Sequence, residues 1–216
     1  MATRVRKTGR LRRLEIAEAA LEILGSNGPQ DLSTRALADR VGLSTGALFR
    51  HFSSKEEIIE YAVEVAVERV SASFPDAALP ADLRWIEMIR ERVQLLRREP
   101  GIAWLLLSDQ AQSLLSPSAN KRLADLVRAS GQFLRRALEE AAKAGHIRGD
   151  IPIEDTVMIV MGSVLAAVGL RGAHGSLRIQ EHSARERWIE SLLRLLAPPS
   201  RISETSQPTD KRSSSP

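Results

Sequence analysis

At 216 residues, 43% of them hydrophobic, the chain has ample apolar side chain for a packed core, which excludes disorder along its whole length. It contains no cysteine, so disulfides and thiolate metal sites are excluded, in keeping with a reducing cytoplasm. Net charge is only +4 but unevenly placed: residues 1–55 carry ten Lys/Arg against five Asp/Glu and the remainder 21 against 22, so the basic excess that would meet phosphates lies wholly at the N-terminus.

Arg4, Arg6, Lys7 and Arg10 begin the chain as a basic arm, expected to be disordered over residues 1–9. With Arg12 and Arg13 they mimic a secretory leader, but Glu15, Glu18 and Glu22 stand where its apolar stretch belongs, so no leader is expected. Helical periodicity runs almost everywhere and no segment alternates long enough for a sheet, which predicts an all-α fold. A first helix spans about Leu11 to Ser26, with Leu14, Ala17, Leu21 and Leu24 on one face, and stops at Asn27-Gly28-Pro29. Two short helices follow, then one from Lys55 to about Ala72, closed by Pro75 and Pro80. Beyond it the pattern predicts helices over Leu83–Glu99 and Ile102–Leu107, and a long one opened by Ser116-Pro117 and ended by Gly145. Glu154–Leu170 and Ala184–Leu196 are the last two, separated by a loop with His174; Pro198 to Pro216, rich in Ser, Thr and Pro, reads as a disordered tail. The longest apolar run, Val157 to Leu170, is shorter than the roughly 18 residues of a spanning helix and reads as buried, so no membrane partner is expected.

Residues 33–52 have the grammar of a helix-turn-helix. Ser33 caps a short helix, Ala38 is small where a second helix must cross, Gly42 supplies the positive φ of a tight turn, and Ser44 caps the second helix. Leu37, Val41, Leu43 and Leu48 face inward, leaving Thr45, Gly46, Ala47 and Arg50 as a slender outer surface able to enter a major groove about 12 Å wide. By spacing alone, a helical hairpin serving only as core remains an alternative. Ser53 and Ser54, each three residues before Glu56 and Glu57, read as overlapping capping boxes, with Lys55 in the first turn placed to hold a phosphate.

The run Gly42-Leu43-Ser44-Thr45-Gly46-Ala47-Leu48-Phe49-Arg50-His51-Phe52-Ser53-Ser54-Lys55-Glu56-Glu57-Ile58 resembles the TetR family pattern, with Leu43, Phe49 and Ile58 as conservative departures. With the first helix, the resemblance covers about Arg10 to Val70 and implies a DNA-binding domain over residues 10–70. It implies base contacts at Arg35, Thr45, Gly46 and Ala47, and backbone contacts at Thr34, Phe49, His51 and Lys55, Phe49 lacking the hydroxyl of the usual tyrosine. Among these Arg35 suits bidentate reading of guanine. It further implies a body over residues 71–197 that pairs with a second copy and encloses a small-molecule pocket.

For pairing, the sequence offers a stripe of Ile189, Leu192, Leu193 and Leu196 beside Trp188, and a small-residue face of Gly162, Ala166 and Gly169. These serve equally as core within one chain. For a mostly apolar effector it offers Trp85, Met88, Ile89, Ile102, Trp104, Leu105, Phe133, Met158, Met161 and Leu165, each of which also suits an ordinary core, with Arg92, Asp109 and Gln110 as polar anchors that solvent exposure explains equally. His51, His146, His174 and His182 lack the spacing of helical metal pairs, and no phosphate loop or nucleophile constellation is present, so neither metal, cofactor nor catalysis is expected. The expectation is a cytoplasmic, homodimeric, ligand-responsive repressor bound to double-stranded operator DNA. Two rivals are a DNA-binding regulator without effector and a helical protein that no longer binds DNA.

Overall fold

The computed structural model describes residues 9–169 and 182–199, with side chains from 186 onward in the second segment. The expectations for the basic arm, for His174 and its loop, and for the tail beyond residue 199 lie outside these residues. Among the described residues every regular element is helical.

The N-terminal head is built from α1 (Gly9–Ser26), α2 (Thr34–Arg40), α3 (Thr45–Leu48) and the start of α4 (Lys55–Ala72). Gly28, at φ 85°, turns the chain out of α1 into a single 3₁₀ turn at Pro29–Asp31. Serines cap each of the next three helices: Ser33 accepts from the Ala36 amide at 3.1 Å, Ser44 from Ala47 at 3.2 Å and Ser54 from Glu57 at 3.2 Å. Gly42, at φ 65°, closes α2, with the Leu43 amide reaching back to the Ala38 carbonyl at 2.8 Å and the Gly42 amide to Asp39 at 3.3 Å.

The body comprises α5 (Ala81–Arg98), α6 (Pro100–Leu107), α7 (Asp109–Leu114), α8 (Pro117–Lys143), α9 (Ile153–Gly169) and α10 (His182–Leu196). Ser116 caps α8 through the Ala119 amide at 3.1 Å, and Gly145 ends it at φ 75° with the same pair of return hydrogen bonds seen after α2. The short α7 was not expected. Only Ala111 of its six residues is buried, so it carries no legible apolar stripe. Helix α5 ends just before Pro100, which occupies the first turn of α6, where its missing N–H costs no helical bond.

One hydrophobic core joins head and body. Helix α1 packs on α4 and on α6, while α5 lies against α8 and α9. The division expected at residue 70 therefore falls inside α4, whose far end already belongs to the body. Two features bind α1 to the body. At Gly25 and Gly101 the backbones of α1 and α6 touch: a Cβ on Gly101 would lie 2.5 Å from the Leu21 carbonyl carbon and 2.7 Å from its Cα. Beside this contact Arg69 of α4 bridges Glu18 of α1 and Glu99 at the α5–α6 junction.

Candidate nucleic-acid interface

The recognition segment is short. Only Thr45–Leu48 is α-helical, after which tighter bonds from Arg50 to Ala47 and from His51 to Leu48 wind the chain into the turn before α4. Leu48 and Phe52 fill the core beneath it. Thr45, Gly46 and Arg50 are exposed, as is Phe49 at 43%. Ala47, expected on the outer surface, is turned inward at 7% exposure, because the single turn of α3 places it on the same side as Leu48. The Ser44 hydroxyl accepts the Ala47 amide in its cap, which leaves its O–H able to donate outward.

On α2 the Arg35 side chain is 89% exposed and held only loosely by Asp39 at 3.9 Å, so it is free to reach outward. Thr34 is half-buried. Lys55, in the first turn of α4, lies with its Nζ 3.5 Å from the Leu32 carbonyl, which tethers it beside the start of α2. His51 is half-buried and its carbonyl accepts from Arg13 at 2.6 Å.

Arg13 was not singled out by sequence reading, although it organises this turn. Its guanidinium also donates to Glu57 at 3.0 Å and lies over the rings of Phe52 at 4.1 Å and Tyr61 at 4.9 Å. Glu57 in turn accepts from the Ser53 amide at 2.6 Å and the Ser53 hydroxyl at 2.7 Å. These bonds from Ser53, and then Arg13, hold the Glu57 carboxyl down to about 2. Of the two capping boxes read from sequence, only half of one is seen: Ser54 caps the Glu57 amide, while Glu57 accepts from Ser53, the residue before the cap, and not from Ser54. No local spacing links Arg13 to residues 51–61, so only the packing of α1 on α4 brings them together.

In the body, Trp85, Met88, Ile89, Ile102, Trp104 and Leu105 are buried where α5 and α6 meet the core, and Phe133 and Met161 pack partly buried against it. Met158 and Leu165 do not join them. At 75% and 42% exposure they face out of α9, beside exposed Ile159, Gly162 and Ala166. The pairing stripe needs the opposite correction: Ile189, Leu192 and Leu196 are buried inside the subunit, because α10 lays this face on the core. Trp188 and Leu193 flank it half-buried, Gly169 is half-buried at the end of α9, and Leu195 is left outward at 67%. Among the described residues the exposed apolar surface is thus the outer face of α9, which includes the expected Gly162 and Ala166, together with Leu195 of α10. Among the described residues no group of His, Asp or Glu could hold a metal, and no helix is long and apolar enough to cross a membrane.

A serine-capped helix-turn-helix head, seated by its first helix on a larger helical body, defines a helix-turn-helix protein. The family of bacterial regulatory proteins named tetR matches residues 16–62. The nucleoid occlusion factor SlmA of Vibrio cholerae is 30% identical over 177 residues, 77% of this chain and 82% of that protein. The transcriptional repressor AcnR of Corynebacterium diphtheriae is 29% identical over 146 residues, 67% of this chain and 72% of that one. The same fold extends over 87% of this chain and 99% of AibR, a structure determined with isovaleryl coenzyme A and operator DNA, at TM-score 0.67 and 19% identity. The chain belongs to the tetR family of bacterial regulatory proteins.

Proposed function

We propose that this protein is a cytoplasmic, non-enzymatic transcriptional repressor that binds operator DNA as a homodimer and is released by a small molecule. The observation that carries the reading is the head: a short, capped recognition turn with Thr45, Gly46, Phe49 and Arg50 outward, clamped from behind by Arg13. Thr45 and Gly46 enter the major groove, and Arg35 supplies the hydrogen-bonding base contact. Thr34, Ser44, Phe49, His51 and Lys55 follow the backbone, with Lys55 neutralising phosphate at the positive end of α4. AcnR, a repressor, and AibR, which holds operator DNA and an acyl thioester in one structure, support this assignment.

Pairing uses the outer face of α9, where Met158, Ile159, Gly162, Leu165 and Ala166 form an apolar, small-centred strip. The effector enters the body among α5, α6 and α8. Its signal leaves through α6, since the Gly25–Gly101 contact and the Arg69 bridge oblige α1 and α4 to follow any shift of that helix. Two heads must match half-sites about 34–36 Å apart, so a small rotation of each lowers affinity; coupling of about 1–3 kcal/mol gives roughly 5- to 150-fold release.

A second reading is a DNA-binding factor without an effector, favoured by the likeness to SlmA, which is named a nucleoid occlusion factor and not a repressor. Selection from a random DNA pool, followed by a small-molecule screen on the selected sequence, tests both. The first reading expects a two-fold symmetric sequence and a compound that dissociates it. Enrichment without any dissociating compound favours the second, and no enrichment refutes both.

A further inference from the structure

Several half-buried arginines of this protein are matched to carboxylates. Arg69 holds Glu18 and Glu99, Arg84 holds Glu140, and Arg122 holds Glu60 and Glu64. Arg92, in the middle of α5, has no such partner among the described residues. Its Nη1 donates to the Ser130 hydroxyl of α8 at 3.2 Å, and Ser130 passes its own proton to the Leu126 carbonyl at 2.9 Å, so the contact is neutral. The guanidinium lies 5.4 Å from the ring of Phe74, which Phe133 meets edge-on at 5.3 Å. Nε and Nη2 are covered and bond to nothing.

Those two nitrogens are not an arbitrary pair. Their N–H bonds run parallel along one edge of the guanidinium, the edge that receives both oxygens of a carboxylate side by side. That edge is covered without an acceptor, with the Phe74 ring nearby, and a covered charge left without a counter-ion is costly to the fold. A second unmatched donor lies on the same face of α5. The indole Nε1 of Trp85, two turns earlier and about 10 Å along the axis, is also buried without an acceptor.

We propose that Arg92 is the anchor for the effector and that the effector is an organic acid: its carboxylate takes the unpaired edge of Arg92 and its apolar body lies along α5 toward Trp85. This rests on the ligand-responsive reading above and narrows it from a mostly apolar molecule to an amphipathic anion. Burial also draws the Arg92 guanidinium down to about 10, still cationic at neutral pH and so able to pair.

Two measurements on the full-length protein test the assignment. In the first, decanoate, hexadecanoate and phenylbutanoate are titrated beside their primary amides, with thermal stabilisation and operator release as readouts. Wild type should bind at least one acid roughly 10- to 100-fold more tightly than its amide, the worth of a hydrogen-bonded charge. Arg92→Gln should erase that difference while binding operator as wild type does. Equal binding of acid and amide, no binding of any acid, or an undiminished preference in Arg92→Gln overturns the proposal. So does an Arg92-dependent response confined to isovaleryl coenzyme A, whose charges are phosphates. If neutral compounds release the operator while acids do not, the proposal falls and the ligand-responsive reading stands; if nothing releases it, both fall. The second measurement needs no ligand. Arg92→Met should raise the melting midpoint of the free protein, because it removes a buried charge that has no partner. A lowered midpoint would mean that the contacts the guanidinium already makes within the chain outweigh the cost of its burial, and would overturn the proposal.

Discussion

Replacing Gly101 by alanine perturbs one contact on which the link between body and head depends. The added Cβ would sit 2.5–2.7 Å from the carbonyl carbon and Cα of Leu21, where carbon atoms ordinarily rest about 3.5–4.0 Å apart. Both sides of the contact are backbone, so no rotamer relieves it, and α6 must move off α1 by about 1 Å. Overpacking of this kind costs about 1–3 kcal/mol. For a chain of this size each kilocalorie lowers the melting midpoint by about 2–4 °C, so a fall of roughly 2–12 °C is expected. Gly131, inside α8, is the control. Nothing lies within 4 Å of the Cβ it would gain, so Gly131→Ala should follow helix propensity and stabilise by about 0.5–1 kcal/mol. Scanning calorimetry of both variants, followed by operator titration, reads the outcome. Gly101→Ala should also bind operator with altered affinity, since α1 shifts with α6. A midpoint at or above wild type for Gly101→Ala would refute the claim that the two backbones are in obligatory contact.

Other expectations concern charge and assembly. Lys55→Ala should weaken operator and random DNA alike and reduce the slope of log affinity against log salt by about 0.9 per lost contact. Arg35→Ala should weaken operator selectively, by about 1–3 kcal/mol per half-site; an unchanged ratio of specific to random affinity would make Arg35 a backbone contact instead. The Glu57 carboxyl titrates near 2 in the folded head against an ordinary 4.5, so its stabilisation is complete above about pH 5 and is lost as pH falls toward 2. Glu57→Gln should accordingly melt below wild type at neutral pH, with the gap closing in acid; a gap independent of pH would contradict the Ser53 and Arg13 contacts. Met158→Glu with Leu165→Glu should give a folded monomer by sedimentation, whereas Leu192→Glu should unfold the body, because Leu192 lies inside it.

Much of the head was legible in sequence because its determinants are local. Ser33, Ser44 and Ser54 cap the amides three residues on, and Gly42 and Gly145 take the positive φ their positions require, all within one turn of chain. Apolar periodicity likewise set the long helices to within a few residues. What sequence could not decide was which side of an apolar helix meets its own core. Helix α9 is apolar nearly all round, so Met158 and Leu165 read as pocket residues until packing on α5 and α8 turned them outward. Helix α10 has one clear stripe, and the stripe by itself does not say whether a neighbour in the same chain or a second copy covers it. Arg13, Arg69, Arg92 and Gly101 owe their roles to hydrogen-bonding partners 30 to 51 positions away, or to a backbone on another helix. Caps and turns are settled by bonds that close within a few residues. Partners for a buried charge and the orientation of an apolar face are settled only when distant helices compete for the same surface.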